Sequence, residues 1–336
     1  MSFKNKFFSK IHLLGLNSKW AIGSEFNFLK KFFLDFGFNI SESSLALNQC
    51  VYLPTKYALK KSIYHFFNNK VFFDYFHGDP GLSNEFKELF YYILNNQDKY
   101  FKIRVTNSRM LNIFLNNNLN NVEKIPLGVD TNIFKNNNNM NKNLIRNILG
   151  IPKDAILIGS FQKDGVGWSE GNIMKSIKGP DIFLKTLEII KNKFEEIHVL
   201  LLGPSRGYVI KGLEKLNIPY KNFYEEKIED VVKYYCALDL YLITSREEGG
   251  PKSLLEAMAC NIPVITTPVG QAIDLIEDNV NGIKVKDFEA EEIASRIINL
   301  LNDSKKINSI VANGIKTSKF NDYSNQKQLW KNFFNI

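Results

Sequence analysis

Residues 245–270 read SREEGGPKSLLEAMACNIPVITTPVG, and they follow the apolar run LYLIT at 240–244. Two glycines and a proline separate that run from a helical pattern at 251–260, after which a second apolar run, VITT, occupies 264–267. Continuous apolar runs that alternate with helices are typical of a parallel sheet covered on both faces. The stretch therefore predicts strand, loop, helix and strand. The backbone N–H groups of the helix start would lie at the edge of the sheet where ligands bind, and they suit a phosphate.

The same alternation continues toward both ends of the chain. We predict further strands at 71–76, 101–106, 156–161 and 198–202, and further helices at 26–36, from Pro180 and Asp181 onward, at 228–237 and at 289–301. A single core rarely grows past about 250–300 residues. The 336 residues therefore predict two doubly wound α/β units.

The polar run NNNNMNKN at 136–143 cannot bury an apolar face, which favours a linker. It divides the chain into four predicted parts. These are a short first α/β domain at 1–135, the linker at 136–150, a second α/β domain at 151–318, and an aromatic tail at 319–336. We expect the tail to be helical and to pack back on the first domain.

Glu248 and Glu256 have seven residues between them, and the second is followed by Ala-Met-Ala and then by the Pro-Val that opens a strand. This pattern resembles the signature of the retaining glycosyltransferases of group 1, also called glycosyltransferase family 4. The resemblance implies the GT-B fold, in which two Rossmann-like doubly wound α/β domains face a central cleft. Asn261 replaces the glycine that usually follows the helix, and Asn also tolerates a left-handed helix end.

The resemblance also implies roles for the quoted stretch, all of them toward a nucleotide-sugar donor. Glu256 would accept hydrogen bonds from the ribose hydroxyls. Glu248 would act as a catalytic residue that contacts the transferred sugar near its reacting carbon. The loop and helix start between the two glutamates would bind the sugar and the diphosphate through backbone amides. These donor-binding residues are Gly249, Gly250, Pro251, Lys252 and Ser253.

Two lysines extend the predicted donor site. Lys178, in KGPD, resembles the family's Lys-Gly element, whose lysine binds the diphosphate. An anion bound there would relieve the repulsion between this cation and the helix start. Lys163 follows the strand at 156–161 and is either a second phosphate ligand or a solvated loop lysine. Residues 164–177 form a longer, glycine-rich loop than the family usually has. Its Trp168 either packs within the loop, which we favour, or stacks on a sugar or covers the cleft.

The first half carries weaker signals. His77 follows a predicted strand in FHGDP and matches a histidine that the family uses on the donor sugar, which predicts a catalytic residue. The run AIGSE at 21–25 resembles a degenerate form of the family's N-terminal glycine loop, so Gly23 is predicted to bind the acceptor. IPLGVD at 125–130 resembles the family's Pro-Asn-Gly-Val-Asp stretch. Leu127 replaces the Asn there and predicts a structural role.

The implied reaction moves a sugar from a nucleoside diphosphate to an acceptor hydroxyl, with retention of configuration and without a cofactor. Metal-using glycosyltransferases often hold a cation through an Asp-x-Asp pair. Because this sequence has no such pair, we predict no metal site. Two alternatives stay open: another GT-B enzyme, such as a nucleotide-sugar epimerase, and a non-catalytic carbohydrate- or lipid-binding protein on the same fold. The two glutamates and Lys178 favour the transferase.

The positive charge is unevenly distributed. Residues 1–150 carry an excess of nine positive charges and the remainder an excess of one negative charge, for a net charge of +8. A basic face attracts nucleic acid, anionic lipid or a phosphorylated substrate, although scattered lysines also serve solubility alone. The sequence has no zinc finger, RNP-like motif or basic zipper, so we expect no nucleic acid partner.

Three cysteines without a CxxC pair favour a reducing compartment. We find neither a cleavable leader nor an apolar run of the roughly 18–20 residues that a membrane span requires. We therefore expect a cytoplasmic protein. If the basic half is functional, we expect it to bind the anionic cytoplasmic face of a membrane. The acceptor would then be a saccharide or lipid-linked saccharide in cell-envelope or surface polysaccharide or glycolipid synthesis.

Overall fold

The computed structural model describes residues 10–14, 21–43, 45–55, 67–76, 78–136 and 141–336. They fall into two compact units, the first within Met1–Gly128 and Tyr323–Ile336 and the second at Val129–Asp322. In each unit the described strands form one six-stranded parallel sheet with helices between the strands. No helix in the described ranges is long and apolar enough to cross a membrane.

The division between the units lies after Gly128 and not near residue 135. The residues that follow are held within the second unit by hydrogen bonds to its last residues. Val129 N donates to Asn321 O at 3.2 Å, and Thr131 N donates to Asp322 Oδ2 at 2.9 Å. These contacts join positions that are far apart in sequence, so the local composition gave no sign of them.

The first sheet contains strands of three to six residues. They are β1 (Lys10–Leu13), β2 (Asn39–Ser41), β3 (Cys50–Leu53), β4 (Lys70–Tyr75), β5 (Lys102–Val105) and β6 (Val122–Lys124), in the spatial order β2-β1-β3-β4-β5-β6. Its helices up to residue 128 are α1 (Ala21–Asp35), α2 (Asn84–Leu94) and α3 (Ser108–Asn116). The strands predicted at 71–76 and 101–106 correspond to β4 and β5, and the helix predicted at 26–36 to α1.

The second sheet has the doubly wound order. Its strands are β7 (Ile156–Ser160), β8 (Ile197–Leu202), β9 (Tyr220–Phe223), β10 (Leu240–Ile243), β11 (Val264–Thr266) and β12 (Ile283–Lys284), in the spatial order β12-β11-β10-β7-β8-β9. Its helices are α4 (Lys142–Leu149), α5 (Pro180–Lys191), α6 (Gly207–Lys215), α7 (Val232–Ala237), α8 (Lys252–Ala259), α9 (Ala272–Leu275), α10 (Ala290–Leu301) and α11 (Ser304–Phe320). The chain winds outward from β7 to β9 and returns to the other side of β7 with β10. The strand order therefore reverses between β7 and β10.

Apolar side chains cover both faces of the second sheet, which explains its uninterrupted apolar strands. Successive residues of β8 alternate between the two cores, as a pleated strand requires. Leu200 and Leu202 pack with side chains of α7 and α8, whereas Val199 and Leu201 pack with side chains of α5 and α6. Helices α7 and α8 thus lie on one face of the sheet, and α5 and α6 lie on the other.

Residues 142–149 form helix α4 and are not part of a linker. The side chain of Asn141 caps the helix by accepting from Leu144 N, and Gly150 ends it with φ 64°. Ile145 packs in the core of the second unit, and Arg146 is buried beside Asp239 with 2.6 Å between Nη2 and Oδ2. The Asn-rich composition concealed this amphipathic helix, so the linker prediction was wrong for these residues.

The C-terminal residues from Tyr323 onward belong to the first unit. They include helix α12 (Lys327–Phe334), which buries three aromatic side chains. The ring centroid of Phe334 lies 4.8 Å from that of Phe72 in β4. Because α11 continues past residue 319, this segment begins four residues later than the predicted tail.

A charged cluster that the sequence did not predict lies in the core of the first unit. Arg104 is fully buried, and its Nη1 lies 2.8 Å from Asp74 Oδ2 and its Nη2 3.1 Å from Glu25 Oε2. Tyr52 Oη donates to Asp74 Oδ2 at 2.9 Å. The guanidinium carbon lies 4.6 Å from the ring centroid of Trp330. Burial raises the pKa of Asp74 to about 6, although the charge of Arg104 acts in the opposite direction.

This raised pKa predicts that the first unit loses stability as the pH rises. The pKa of the Asp74 carboxyl rises from 3.8 to about 6 on folding. The folded chain therefore holds the proton more tightly, and deprotonation favours unfolding. Between about pH 4 and 6.5, we expect this carboxyl to remove roughly 3 kcal/mol from the free energy of unfolding. Urea titrations should show this loss in the wild type and not in Asp74→Asn, and equal pH slopes would contradict it.

Candidate active site

The strands at which the second sheet reverses its order, β7 and β10, are neighbours and parallel, so their carboxyl ends share one edge. Gln162 follows β7 and connects the segments at that edge. Its Nε2 donates to Lys178 O at 3.2 Å, and its Oε1 lies 3.2 Å from Ser245 Oγ. Doubly wound sheets bind their ligands at such a position. The predicted donor residues of the second unit lie in these same segments.

Lys178 and Glu248, which are 70 residues apart, form an ion pair at this edge through Nζ and Oε1. Both side chains are mostly buried, with 18% and 14% of their surface exposed. Ser245 Oγ lies 2.9 Å from the same Oε1. The single hydroxyl proton of Ser245 is shared between Glu248 and Gln162, and Glu248 Oε1 therefore contacts both Lys178 and Ser245. The structure thus brings together two residues for which the sequence predicted a common ligand.

The backbone around Lys178 is fixed by close contact with the end of β10. Gly179 has φ 60°, and a Cβ at this position would lie 1.9 Å from Thr244 O, so only glycine fits. Thr244 Oγ1 donates to Gly179 O at 2.9 Å. The guanidinium of Arg246 donates to both oxygens of Asp181 at 2.7 and 2.6 Å. These contacts hold the Lys-Gly element against the segment that carries Glu248.

Glu256 lies on α8 and has its own partner. Tyr235 Oη, from α7, donates to Glu256 Oε2 at 2.8 Å. Burial raises the pKa of Glu256, while the positive charge of Lys252 and the Tyr235 hydrogen bond act in the opposite direction. Among the described residues, no hydrogen bond or ion pair joins Glu256 to Glu248 or Lys178. The two glutamates therefore offer two separate carboxylates as hydrogen-bond acceptors, Glu248 from the loop and Glu256 from helix α8.

The loop between the two glutamates leads directly into α8. Its predicted donor-binding residues are Gly249, Gly250, Pro251, Lys252 and Ser253. Pro251 is the N-cap and gives the helix no side-chain hydrogen bond, and Lys252 is buried as the first helical residue. The loop is also closely packed, because a Cβ at Gly270 would lie 2.8 Å from both Glu248 O and Gly249 O. The packed backbone holds the start of α8 at the edge formed by the carboxyl ends of β7 and β10, which we call the ligand edge.

Comparison with known proteins identifies this region. The sequence of residues 170–317 matches the family described as "Glycosyl transferases group 1". The second unit contains a group 1 glycosyltransferase domain. The matched residues include Lys178, Glu248 and Glu256, so the motif and the geometry of the site lie within one domain.

Relatives of the group 1 domain support this assignment. The chain is 30% identical over 165 residues to an uncharacterized glycosyltransferase of Methanocaldococcus jannaschii, covering 46% of this chain and 42% of the relative. It is 28% identical over 156 residues to the capsular polysaccharide biosynthesis glycosyltransferase CapM of Staphylococcus aureus, covering 41% of each. The matches thus span about two fifths of the length of these curated relatives.

A solved structure resembles the chain over nearly its whole length. Anabaena HepE, in a crystal structure with UDP and glucose, has a TM-score of 0.77 at 17% identity, and the comparison covers 98% of this chain and 100% of HepE. This likeness shows the fold. It confirms the predicted GT-B class with its two doubly wound α/β units.

Lys163 and Trp168, which precede the matched residues, contact each other. The Lys163 ammonium lies 3.5 Å from the centroid of the Trp168 ring. Burial lowers the pKa of Lys163, and no carboxylate of the described residues pairs with it. Trp168 itself has 76% of its surface exposed. The interpretation that Trp168 packs within its loop was therefore wrong, because the loop is held by other contacts.

The sequence did not reveal that Arg206 and Asp164 form a buried ion pair beside this edge. Both side chains are almost completely buried, with 3.0 Å between Arg206 Nη2 and Asp164 Oδ2. Arg206 Nη1 also donates to Ser160 O, the last residue of β7, at 2.7 Å. Burial raises the pKa of Asp164, while Arg206 and Lys178 oppose the rise. An arginine in the run LGPSRG at 202–207 is typical of a solvated loop. Only its position after a buried strand indicated another role.

The predicted residues of the first unit stay predictions. His77 lies outside the described residues. Gly23 is the third residue of α1, and Leu127 is fully buried, as a structural residue would be. Among the residues that the structure describes, no cluster of three or more His, Cys, Asp or Glu side chains is arranged to hold a metal ion.

Proposed function

We propose that this protein transfers a sugar from a nucleoside diphosphate to an acceptor hydroxyl, with retention of anomeric configuration and without a metal ion. The observation that carries this proposal is the Lys178–Glu248 ion pair, which lies where the second sheet reverses its order, inside the group 1 domain. HepE was solved with UDP and glucose, which supports a nucleotide sugar as the donor. CapM acts in capsular polysaccharide biosynthesis, which supports a saccharide acceptor in polysaccharide synthesis.

Lys178 would supply positive charge to the leaving diphosphate. As the bond between the anomeric carbon and the phosphate oxygen breaks, negative charge grows on the diphosphate, and fixed donors aimed at that charge accelerate the step. The ammonium of Lys178 is already held in place by Glu248. Lys163 would add a second cation, and the backbone N–H groups of 249–253 would add dipoles. We propose metal independence because these groups supply the charge that a cation would otherwise provide.

Glu248 and Glu256 would bind the two sugar parts of the donor. A diphosphate that draws the Lys178 ammonium toward itself frees the Glu248 carboxylate to accept hydrogen bonds from the transferred sugar. Glu256 would accept hydrogen bonds from the ribose hydroxyls through Oε1, the oxygen that does not bond to Tyr235. The half-buried position of Glu256 strengthens such bonds, since water competes less there. His77 would assist at the transferred sugar, and Gly23 would border the acceptor.

Tyr235→Phe is expected to weaken donor binding with little effect on the chemical step. The substitution keeps the ring and removes the hydroxyl that holds Glu256 Oε2. Misplacement of the ribose-binding carboxylate should raise the KM for the donor by about 3–10-fold and leave kcat within about twofold. Steady-state kinetics with varied donor measure both constants. Tyr234→Phe is the matched control, because Tyr234 bonds to Glu225 instead. An unchanged donor KM in Tyr235→Phe would contradict the role of Glu256.

Thermal denaturation against UDP, GDP, ADP, CDP and their sugar derivatives tests the proposed function. A nucleotide at about 100 times its Kd stabilises the fold by about 2.7 kcal/mol, and Glu256→Gln should reduce that stabilisation. The nucleotide that binds then identifies the donor for a transfer assay. Nucleoside diphosphate release should require an acceptor and persist in EDTA, and NMR of the product should show the donor's anomeric configuration. Release of free sugar without acceptor would indicate an epimerase, and binding without turnover a carbohydrate-binding protein.

We also propose that the protein works in the cytoplasm, peripherally on an anionic membrane surface. The support is the excess of nine positive charges in residues 1–150. Co-sedimentation with phosphatidylglycerol vesicles should fall steeply as salt rises. Binding that is unchanged when lysines of this half are neutralised would contradict the membrane proposal and leave the transferase proposal intact.

A further inference from the structure

Residues 164–175 form a hairpin that follows β7. Gly165 and Met174 pair as an antiparallel bridge. Val166 N donates to Ile173 O at 2.9 Å, and Lys175 N donates to Asp164 O at 2.8 Å. The two arms of the 164–175 hairpin are thus joined to each other along their length.

The hairpin is also fixed to the start of helix α6. Ser205 Oγ lies within hydrogen-bond distance of Gly167 O, at 3.0 Å, and of Ser169 O, at 3.1 Å. Gly207 N, the first amide of α6, donates to Glu170 O at 2.7 Å. These bonds are made by the backbone of the hairpin and do not involve its apolar side chains. The buried Arg206–Asp164 ion pair secures the base of the same hairpin.

Glycine is required where the hairpin meets this turn. A Cβ on Gly171 would lie 2.4 Å from the backbone of Ser205, and a Cβ on Gly165 would lie equally close to Ser205 O. Gly171 also has φ 75°. The hairpin is therefore a closely fitted element that follows a defined path.

This fixed hairpin exposes its apolar side chains to solvent. Trp168 is 76% exposed, Ile173 71% and Val166 51%. A Trp side chain usually gains stability by burying its large ring. Here the backbone holds the hairpin while the ring stays outside, so the ring is displayed and not used for packing.

The position of the ring connects it with the proposed donor site. The Lys163 ammonium lies 3.5 Å from the ring centroid and so covers one face of the indole. Lys163 directly follows Gln162, whose side chain bonds to Lys178 O and lies beside Ser245. The residue that contacts the ring therefore follows directly on one that lies at the same edge of the sheet as Lys178 and Glu248.

We propose that Trp168 is the stacking platform for a pyranose ring of the acceptor saccharide; this inference rests on the proposed function. The flat, apolar C–H face of a pyranose packs on an indole face, while its hydroxyls remain free to bond to water and to polar neighbours. The nucleoside of the donor belongs elsewhere. Its proposed ligand Glu256 and the partner Tyr235 lie on the face of the sheet covered by α7 and α8. The hairpin is fixed to α6, on the opposite face.

Tryptophan emission and kinetics test this platform together. The probes are the methyl glycosides of glucose, galactose, mannose and N-acetylglucosamine, added alone and together with any nucleoside diphosphate that stabilises the protein. We expect at least one glycoside to change the emission of the wild type and none to do so in Trp168→Phe. With the transfer acceptor, Trp168→Ala should raise the acceptor KM at least about fivefold and leave the donor KM within about twofold. Ile173→Ala, an equally exposed change on the same hairpin, should leave both constants near wild type.

The outcomes separate the platform from the transferase. If a nucleotide binds and no glycoside changes the emission, the platform is wrong and the transferase stands. If glycosides bind through Trp168 and no nucleotide binds, the saccharide platform stands and the transferase is wrong. If neither binds, both are wrong. Two further results overturn the platform: a matching loss of nucleotide affinity in Trp168→Ala, which would assign the ring to the nucleobase, and an emission shift with anionic vesicles alone.

Discussion

Lys178→Met is expected to lower kcat/KM for glycosyl transfer by about 10²–10³-fold. The ammonium of Lys178 is the cation that the ion pair with Glu248 holds at the ligand edge. Removing one fixed donor from a site of developing negative charge typically costs this much, because water does not replace a preorganised charge in a mostly buried position. The effect should fall on the transfer step as well as on donor binding. Steady-state release of the nucleoside diphosphate measures it.

A double variant separates this catalytic loss from damage to the fold. Lys178→Met alone leaves the Glu248 carboxylate mostly buried without its cation, which destabilises the protein. Adding Glu248→Gln removes that charge, so the melting temperature should recover while the activity stays low. Lys185→Met, on the exposed side of α5, is the matched control and should retain activity. A double variant that transfers sugar at near wild-type rates would refute the proposed role of the pair.

The second half of the fold could be predicted because its signals are local. Residues 240–267 contain a strand, a glycine-rich turn, a helix and another strand, and the residues of both strands are continuously apolar or β-branched. The substitution at Asn261 illustrates the point. The sequence predicted that Asn would tolerate a left-handed helix end, and the structure gives Asn261 a φ of 66°.

The first half was harder to predict for two physical reasons. Two of its strands, β2 and β6, have only three residues with a single apolar residue each, too little to show a pattern. Its core also contains the buried Arg104 with Asp74 and Glu25, and charged residues in a sequence usually indicate an exposed face. The burial of these charges depends on partners that are distant in the chain, and composition does not reveal them.

The candidate site likewise combines residues that the sequence could predict with contacts that it could not. A motif predicted Lys178 and Glu248 as ligands of one molecule, but nothing in the sequence showed that they pair with each other. Trp168 was expected to pack because large aromatic residues usually do. The structure shows that the backbone of the hairpin makes the anchoring contacts, so the ring remains exposed. The pairing of Lys178 with Glu248 and the exposure of the Trp168 ring both depend on neighbours that are distant in the sequence.

Arg206→Met is expected to lower the free energy of unfolding by about 3–5 kcal/mol. The substitution leaves Asp164 buried with no guanidinium beside it, and an unpaired buried carboxylate costs this much. It also removes the hydrogen bond to Ser160 O at the end of β7. Urea unfolding at neutral pH measures the change. A loss below about 1 kcal/mol would show that Asp164 finds water or another partner, and that the pair does not support the ligand edge.

The pH dependence of this loss identifies its cause. Burial already raises the pKa of Asp164 in the wild type, and without Arg206 the pKa should rise further. Near pH 4 the folded variant then keeps the proton and carries no buried charge, so the deficit against the wild type should shrink; near pH 7 it should be largest. Arg206→Met combined with Asp164→Leu should regain much of the stability at neutral pH, because it replaces the charge with an apolar group. A deficit that is the same at both pH values would point to lost packing of the arginine side chain instead. In that case close packing would hold the hairpin that carries Trp168, and the buried ion pair would contribute little.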